Sequence, residues 1–128
     1  MKFVLPYPPS INHYYRIHGS RTLISREGRA FRKNVLALLG GGRTPPFDGR
    51  LAVALDAFPP DRRRRDIDNL QKSVADSLQH AGIYHDDNQI DVLLTQRREV
   101  ELGGKLEVEI LPLPLCRCPL CGDKMNSR

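Results

Sequence analysis

The sequence predicts an α+β fold: one small domain in which a mixed β-sheet of about four strands packs with two α-helices, in the order β-α-β-α-β-β. Three observations carry this. The 128 residues fit a single domain. A composition of 40% hydrophobic and 27% charged residues is that of a globular chain. Stretches of period two alternate with two stretches of helical period. Folding at this length removes roughly two-thirds of the unfolded surface, enough for one core.

Lys2 to Leu5 read as a short strand, ended by Pro6, Pro8 and Pro9, which cannot donate to a central ladder. Ser10 to Leu23 read as a polar, aromatic and basic loop. Ser25 is the expected N-cap of the first helix, with Glu27 in its first turn. Phe31, Val35, Leu38 and Leu39 form its apolar face, and Gly40, Gly41 and Gly42 stop it. Leu51, Val53 and Leu55 alternate with smaller or polar neighbours as a strand does, closed by Phe58, Pro59 and Pro60.

A second helix of about 14 residues starts near Asp68, with Leu70, Val74, Leu78 and Ala81 on one stripe and Gly82 as its stop. Val92 to Glu101 and Lys105 to Leu111 bracket Gly103 and Gly104, which predicts a hairpin. Residues 1–112 are the expected folded unit, and 113–128 a tail containing prolines and cysteines. No apolar run approaches the roughly 18–20 residues of a membrane helix. The opening residues break at Pro6, before a signal-peptide core of about 7–15 residues forms, so the cytoplasm is the expected compartment.

Charge is unevenly spread. The chain carries 20 Lys+Arg against 15 Asp+Glu, a net +5. Between His13 and Lys33 six bases oppose Glu27 alone, and Arg62 to Arg65 form an unbroken cationic run between Asp61 and Asp66. From Ile67 to Leu115 the balance reverses, with nine acids against four bases. A polyanion would meet the basic regions, with Arg16, Arg29 and the Arg62, Arg63, Arg64, Arg65 run as its contacts, while carboxylates gather elsewhere. Four adjacent like charges repel one another, and phosphate contact makes sense of them. A merely soluble surface is the plainer alternative.

Asp66 and Asp68 stand two apart where extended chain becomes helix, so both carboxylates can face one side, and a helix N-terminus favours negative groups there. Lys72 follows Asp68 by one helical turn. Hard oxygen ligands of this kind suit Mg²⁺ or Mn²⁺, with Lys72 steadying charge that develops on a phosphodiester. The plainer readings are an N-cap for Asp66 and a solvated pair for Asp68 and Lys72. Asp86 and Asp87 follow the helix. A returning chain brings Asp87 most of the way back to Asp66 and Asp68, although a simple turn explains this dipeptide too. The histidines show no ligand spacing and read as surface or loop residues.

Cys116, Cys118 and Cys121 share the tail. Cys118 to Gly122 has the shape of one zinc-ribbon knuckle, and three sulfurs leave a fourth ligand to a histidine or to a second subunit. A loose tail with reactive thiols is the alternative to bound Zn²⁺.

Asp61 through Lys72, then Ala81 through Ile90, closely resemble the RusA family of Holliday-junction resolvases. Pro8, Pro9, Ser10, Asn12, Tyr14, Tyr15 and Arg16, and the helix start Ser25 to Gly28, look like the same family, so the resemblance covers about Leu5 to Ile110. It implies a metal-dependent endonuclease, a homodimer that nicks four-way DNA junctions symmetrically. It further implies that Asp66, Asp68 and Asp87 are the essential acids around Mg²⁺, with Lys72 catalytic and Asp86 a neighbour. Arg65 and the arginines before it would contact the DNA backbone. The cysteine tail is outside the family pattern. On the residues themselves, a non-catalytic DNA- or RNA-binding protein and a nuclease for other branched DNA stay open.

Overall fold

The computed structural model describes residues 1–40, 44–115, 117–118 and 120–124. Its elements are β1 (Lys2–Leu5), α1 (Ile11–Tyr14), β2 (Tyr15–His18), β3 (Arg21–Ile24), α2 (Arg26–Leu39), β4 (Leu51–Phe58), α3 (Gln71–His80), β5 (Ile90–Arg97) and β6 (Lys105–Pro112), with 3₁₀ turns at Ile67–Leu70 and Asp87–Gln89. Four strands form one mixed sheet in the order β1-β6-β4-β5, and β2 and β3 pair separately.

β4 is the sheet's centre because its sequence is apolar almost throughout, and a strand buried along its length needs partners on both edges. It runs antiparallel to β6, with Val53 opposite Ile110 and Leu55 opposite Val108, and parallel to β5. The parallel pairing is made through α3, as a parallel connection requires a crossover. On one face Leu51, Val53, Leu55, Leu106, Val108 and Ile110 join Phe31 and Val35 of α2 and Val74 and Leu78 of α3 in a single core. The other face is wet: Asp56 pairs with Arg98 at 3.1 Å, and Glu109 with Lys2 at 3.0 Å.

The expected hairpin between the last two strands does not form. β5 and β6 lie on opposite edges of β4. Gly103 and Gly104 do reverse the chain at φ 83° and 67°. The loop before them, however, is stitched to the end of β4 by Arg98 N–H to the Ala57 carbonyl and Glu101 N–H to the Pro59 carbonyl, at 2.8 and 2.9 Å. It therefore steps over β4 before β6 begins. The alternation of apolar residues in β6 fits either placement, so periodicity alone does not decide between them.

The stretch read as a loop from Ser10 to Leu23 contains a helical turn and a hairpin, β2 with β3, closed by Gly19 at φ 63° and Ser20. A Gly-Ser pair between two short β-prone runs was the available signal. In α2 the Ser25 hydroxyl caps as expected, accepting from Gly28 N–H at 2.9 Å. Leu38 departs from expectation: it is exposed, because burial ends with Val35 and only Leu39 of the last turn packs on the core. The second helix spans the expected 14 residues only if its first turn is counted as 3₁₀, since Ile67–Leu70 winds tightly before α3 begins. Leu70, Val74 and Leu78 are buried as the stripe requires, and Gly82 ends it at φ 79°.

Two buried serines tie the N-terminal segment to α3. Ser73 Oγ donates to the Pro9 carbonyl at 3.1 Å, and Ser77 Oγ meets Tyr14 Oη at 3.4 Å. These bonds hold Pro8 and Pro9 beside the turn that carries Asp66 and Asp68.

Candidate active site

The arginine run is folded around Asp61. Its carboxylate accepts Arg63 N–H at 2.9 Å and Arg65 Nη1 at 2.7 Å, and these bonds hold its pKa down at about 2. Arg65 lies over the Tyr7 ring, 5.7 Å from its centroid, and Arg97 donates to the Arg65 carbonyl. Asp61 thus relieves part of the repulsion within the run. Arg62 and Arg64 are exposed and make no ion pair among the described residues.

Asp66 sits at the N-cap position of the 3₁₀ turn, where its carbonyl accepts Asn69 N–H at 3.2 Å. Its carboxylate makes no capping bond, so Asp66 takes the N-cap position through its backbone alone. Asp68 is exposed on the same turn. Neither carboxylate enters a hydrogen bond or ion pair among the described residues.

Lys72 does not pair with Asp68. Its ammonium lies between Asp76 at 3.1 Å and Asp87 at 3.2 Å. The 3₁₀ winding between Asp68 and Lys72 breaks the α-helical period on which their expected pairing depends. Asp87 reaches this position because the chain after α3 is pinned back on the helix. Tyr84 Oη donates to the Ala75 carbonyl at 2.6 Å, and Asp87 N–H donates to Gln79 Oε1 at 2.9 Å. Burial raises the Tyr84 pKa, in keeping with a neutral hydroxyl that donates.

The Asp86 carboxylate is engaged in capping, accepting Asn88 N–H at 2.9 Å, as the turn alternative for this dipeptide describes. Gln89, nearly buried, accepts the N–H groups of His85 and Asp86 and donates to the Phe47 and Gly49 carbonyls. It fixes the whole turn, and only its position three residues after Asp86, a capping box, would have announced it.

Asp76 is the residue that reading the sequence for chemistry passes over. Burial, then the charge of Asp87 and a hydrogen bond with it, push its pKa up to about 6. One ammonium shared between two carboxylates does not reverse that shift. The signal was its spacing of one turn from Lys72, which looks like any surface pair. A carboxyl whose pKa is raised on folding costs stability once ionised. The cost is full above about pH 6 and vanishes below the unfolded value near 4. Asp76→Asn is therefore expected to be more stable than the parent at pH 8, by on the order of 1 kcal/mol after solvent screening. The difference should disappear by pH 4, and urea melts at both values measure it; equal stability throughout would contradict the assignment.

Among the described residues no group of three His, Cys, Asp or Glu side chains stands close enough to hold a metal ion on its own. Arg16 on β2 is exposed, and Arg29 on α2 donates to the Ile24 carbonyl at 2.9 Å. No contact joins either to Asp66 or Asp68 among the described residues. In the tail, Cys118 and Cys121 are free thiols, and the backbones of Arg117 and Lys124 pair as an isolated antiparallel β-bridge; Cys116 lies outside the described residues.

Two carboxylates without partners among the described residues, beside exposed arginines and with a lysine shared between two further acids, make an arrangement fitted to phosphodiester chemistry. The sequence profile described as Endodeoxyribonuclease RusA matches residues 6–111. The chain belongs to the RusA family. Crossover junction endodeoxyribonuclease rusA of Enterobacteria phage HK97 is 42% identical over 113 residues, covering 88% of this chain and 94% of the relative. The phage 82 protein of the same name is 44% identical over 110 residues, covering 83% and 89%. That of Escherichia coli strain K12 is 42% identical over 111 residues, with the same coverage. A RusA-family chain is a hydrolase acting on DNA, and in this one the match takes in every residue from Asp61 to Asp87. No helix among its described residues is long and apolar enough to cross a membrane.

Proposed function

We propose that this chain resolves Holliday junctions by paired, symmetric nicks, with Mg²⁺ as its cofactor, as a homodimer in the cytoplasm. The observation that carries the reading is the pair of unengaged carboxylates, Asp66 and Asp68, at the end of the arginine run. Carboxylate oxygens suit Mg²⁺, which typically takes one or two such ligands and completes its shell with water and substrate phosphate oxygens. The donor set therefore fits, even though no three acids are preassembled among the described residues. Asp66 and Asp68 would hold the ion, with Asp87 as the third acid and Asp86 behind it; Mn²⁺ would substitute. Bound there, the ion supplies Lewis acidity toward the phosphate and a more acidic water.

The remaining work falls to the chain's own side chains. Arg62 and Arg64 grip backbone phosphates, with Arg63, Arg65, Arg16 and Arg29 extending the cationic surface. Such contacts give affinity without sequence information and suit recognition by shape. Lys72, which Asp76 holds from the adjacent turn, keeps a cation where charge grows on the phosphoryl oxygens. A junction presents two equivalent strands, so two centres related by a two-fold axis make both nicks. The outer edge of β5 supports a second copy: it is unpaired among the described residues, with Val92 and Leu93 exposed. For the tail, the proposal is a zinc knuckle using Cys116, Cys118 and Cys121, with the fourth ligand from a histidine or a second subunit. Backbone N–H groups of Cys121 and Leu120 already hold the Cys118 thiol below its usual range.

Labelled four-way junction with Mg²⁺ tests this. Wild type is expected to give paired nicks, and Asp68→Asn to bind the junction without cutting it. Binding without nicking by both proteins, in Mg²⁺ and in Mn²⁺, would leave a non-catalytic DNA-binding protein. Cutting of flaps in preference to junctions would assign another branched substrate.

A further inference from the structure

We infer that the cavity between the N-terminal prolines and the arginine run receives one unstacked nucleobase of the strand being cut. The inference rests on the endonuclease reading and adds a second binding site to it. The cavity measures about 530 Å³, and its lining includes Tyr7, Pro8 and Pro9 together with Arg63, Arg64, Arg65, Asp66 and Asn69. That volume lies within the roughly 300–1,000 Å³ of pockets that hold small ligands.

Its chemistry selects a base over a phosphate. Guanidinium groups alone serve a phosphate, which gains nothing from proline and tyrosine surfaces. A base has flat apolar faces for those surfaces and polar edges for the rest. Among the described residues the Asn69 carboxamide and the Tyr7 hydroxyl make no side-chain hydrogen bond and no buried side-chain polar atom lacks a partner, so both groups are accessible from solvent and free to meet a ligand. An asparagine amide offers the donor and acceptor that a base edge requires.

The walls are also preset. Ser73 holds the Pro9 carbonyl at 3.1 Å, and Asp61 holds Arg65 at 2.7 Å over the Tyr7 ring. Little has to be ordered when a ligand enters. Stacking on aromatic and guanidinium planes favours an inserted base, against an unstacking cost that is lowest where pairing is already disturbed, as at a branch point. Since Asp66 lines the cavity and also belongs to the proposed metal site, the base belongs to a nucleotide next to the scissile phosphate.

The test uses four-way junctions with 2-aminopurine placed at one position at a time around the cut, bound by the full chain in EDTA so that the strands stay whole. Fluorescence is expected to rise severalfold at one position flanking the cut. Asn69→Ala and Tyr7→Leu are expected to reduce that rise at least threefold, while anisotropy shows the junction still bound. No response at any flanking position of a bound junction, or a full rise in both variants, would overturn the pocket. A parallel Mg²⁺ nicking assay separates the two ideas. Nicking without a fluorescence response removes the base pocket and leaves the endonuclease; a response without nicking by wild type removes the endonuclease.

Discussion

Lys72→Ala is expected to slow junction nicking about a hundred- to a thousandfold while leaving junction affinity within about threefold. That loss is the usual effect of removing one preorganised charge from developing transition-state charge. The split between rate and affinity follows from where Lys72 sits. Its ammonium is tied to Asp76 and Asp87 on the helix side of the site, whereas Arg62 and Arg64 stand exposed for the DNA. Alanine also leaves Asp76 and Asp87 facing each other without their shared cation, so the variant should be less stable at neutral pH. Adding Asp76→Asn removes one of the two charges and should restore stability without restoring rate. Single-turnover nicking, junction titration and urea melts on the two variants measure all three quantities. If affinity falls as steeply as rate, Lys72 is a phosphate grip rather than part of the chemistry.

That ion-pair arrangement also marks how far the sequence could be read. The carboxylates at 66 and 68 were legible because their context is local: an arginine run, a helix start, and spacing that leaves both exposed. The partners of Lys72 were not, because one depends on a loop return fixed by Tyr84 and Gln79, and no periodicity encodes that return. Asp76 hid for the opposite reason, since an acid one turn after a lysine is ordinary on any helix. In the fold, β4 and the stripe of α3 followed from hydrophobic spacing. The placement of β5 and β6 did not, because strand order is decided by which edge of β4 each one reaches. Alternation describes faces and is silent about edges.

Gly28→Ala should destabilise the protein by about 2 kcal/mol or more, although the same change in an ordinary exposed helix position gains about 1 kcal/mol from propensity. A methyl at position 28 would collide with the Tyr14 carbonyl oxygen and stand 2.9 Å from Ile24 Cγ2. Neither neighbour is free to retreat. The Tyr14 carbonyl already accepts Ser25 N–H at 2.7 Å, and the Ser25 hydroxyl bridges the His13 carbonyl and Gly28 N–H. Tyr14 itself is fully buried against α3. The first turn of α2 would have to lift off α1, loosening the segment that holds Pro8 and Pro9 beside Asp66. Asn34→Ala, at an exposed site on the same helix, is the control and should gain a few tenths of a kcal/mol. Opposite signs for the two alanines in thermal melts would show that close approach, rather than helix propensity, fixes glycine at 28. A neutral Gly28→Ala would mean that the α1–α2 contact is softer than its geometry requires.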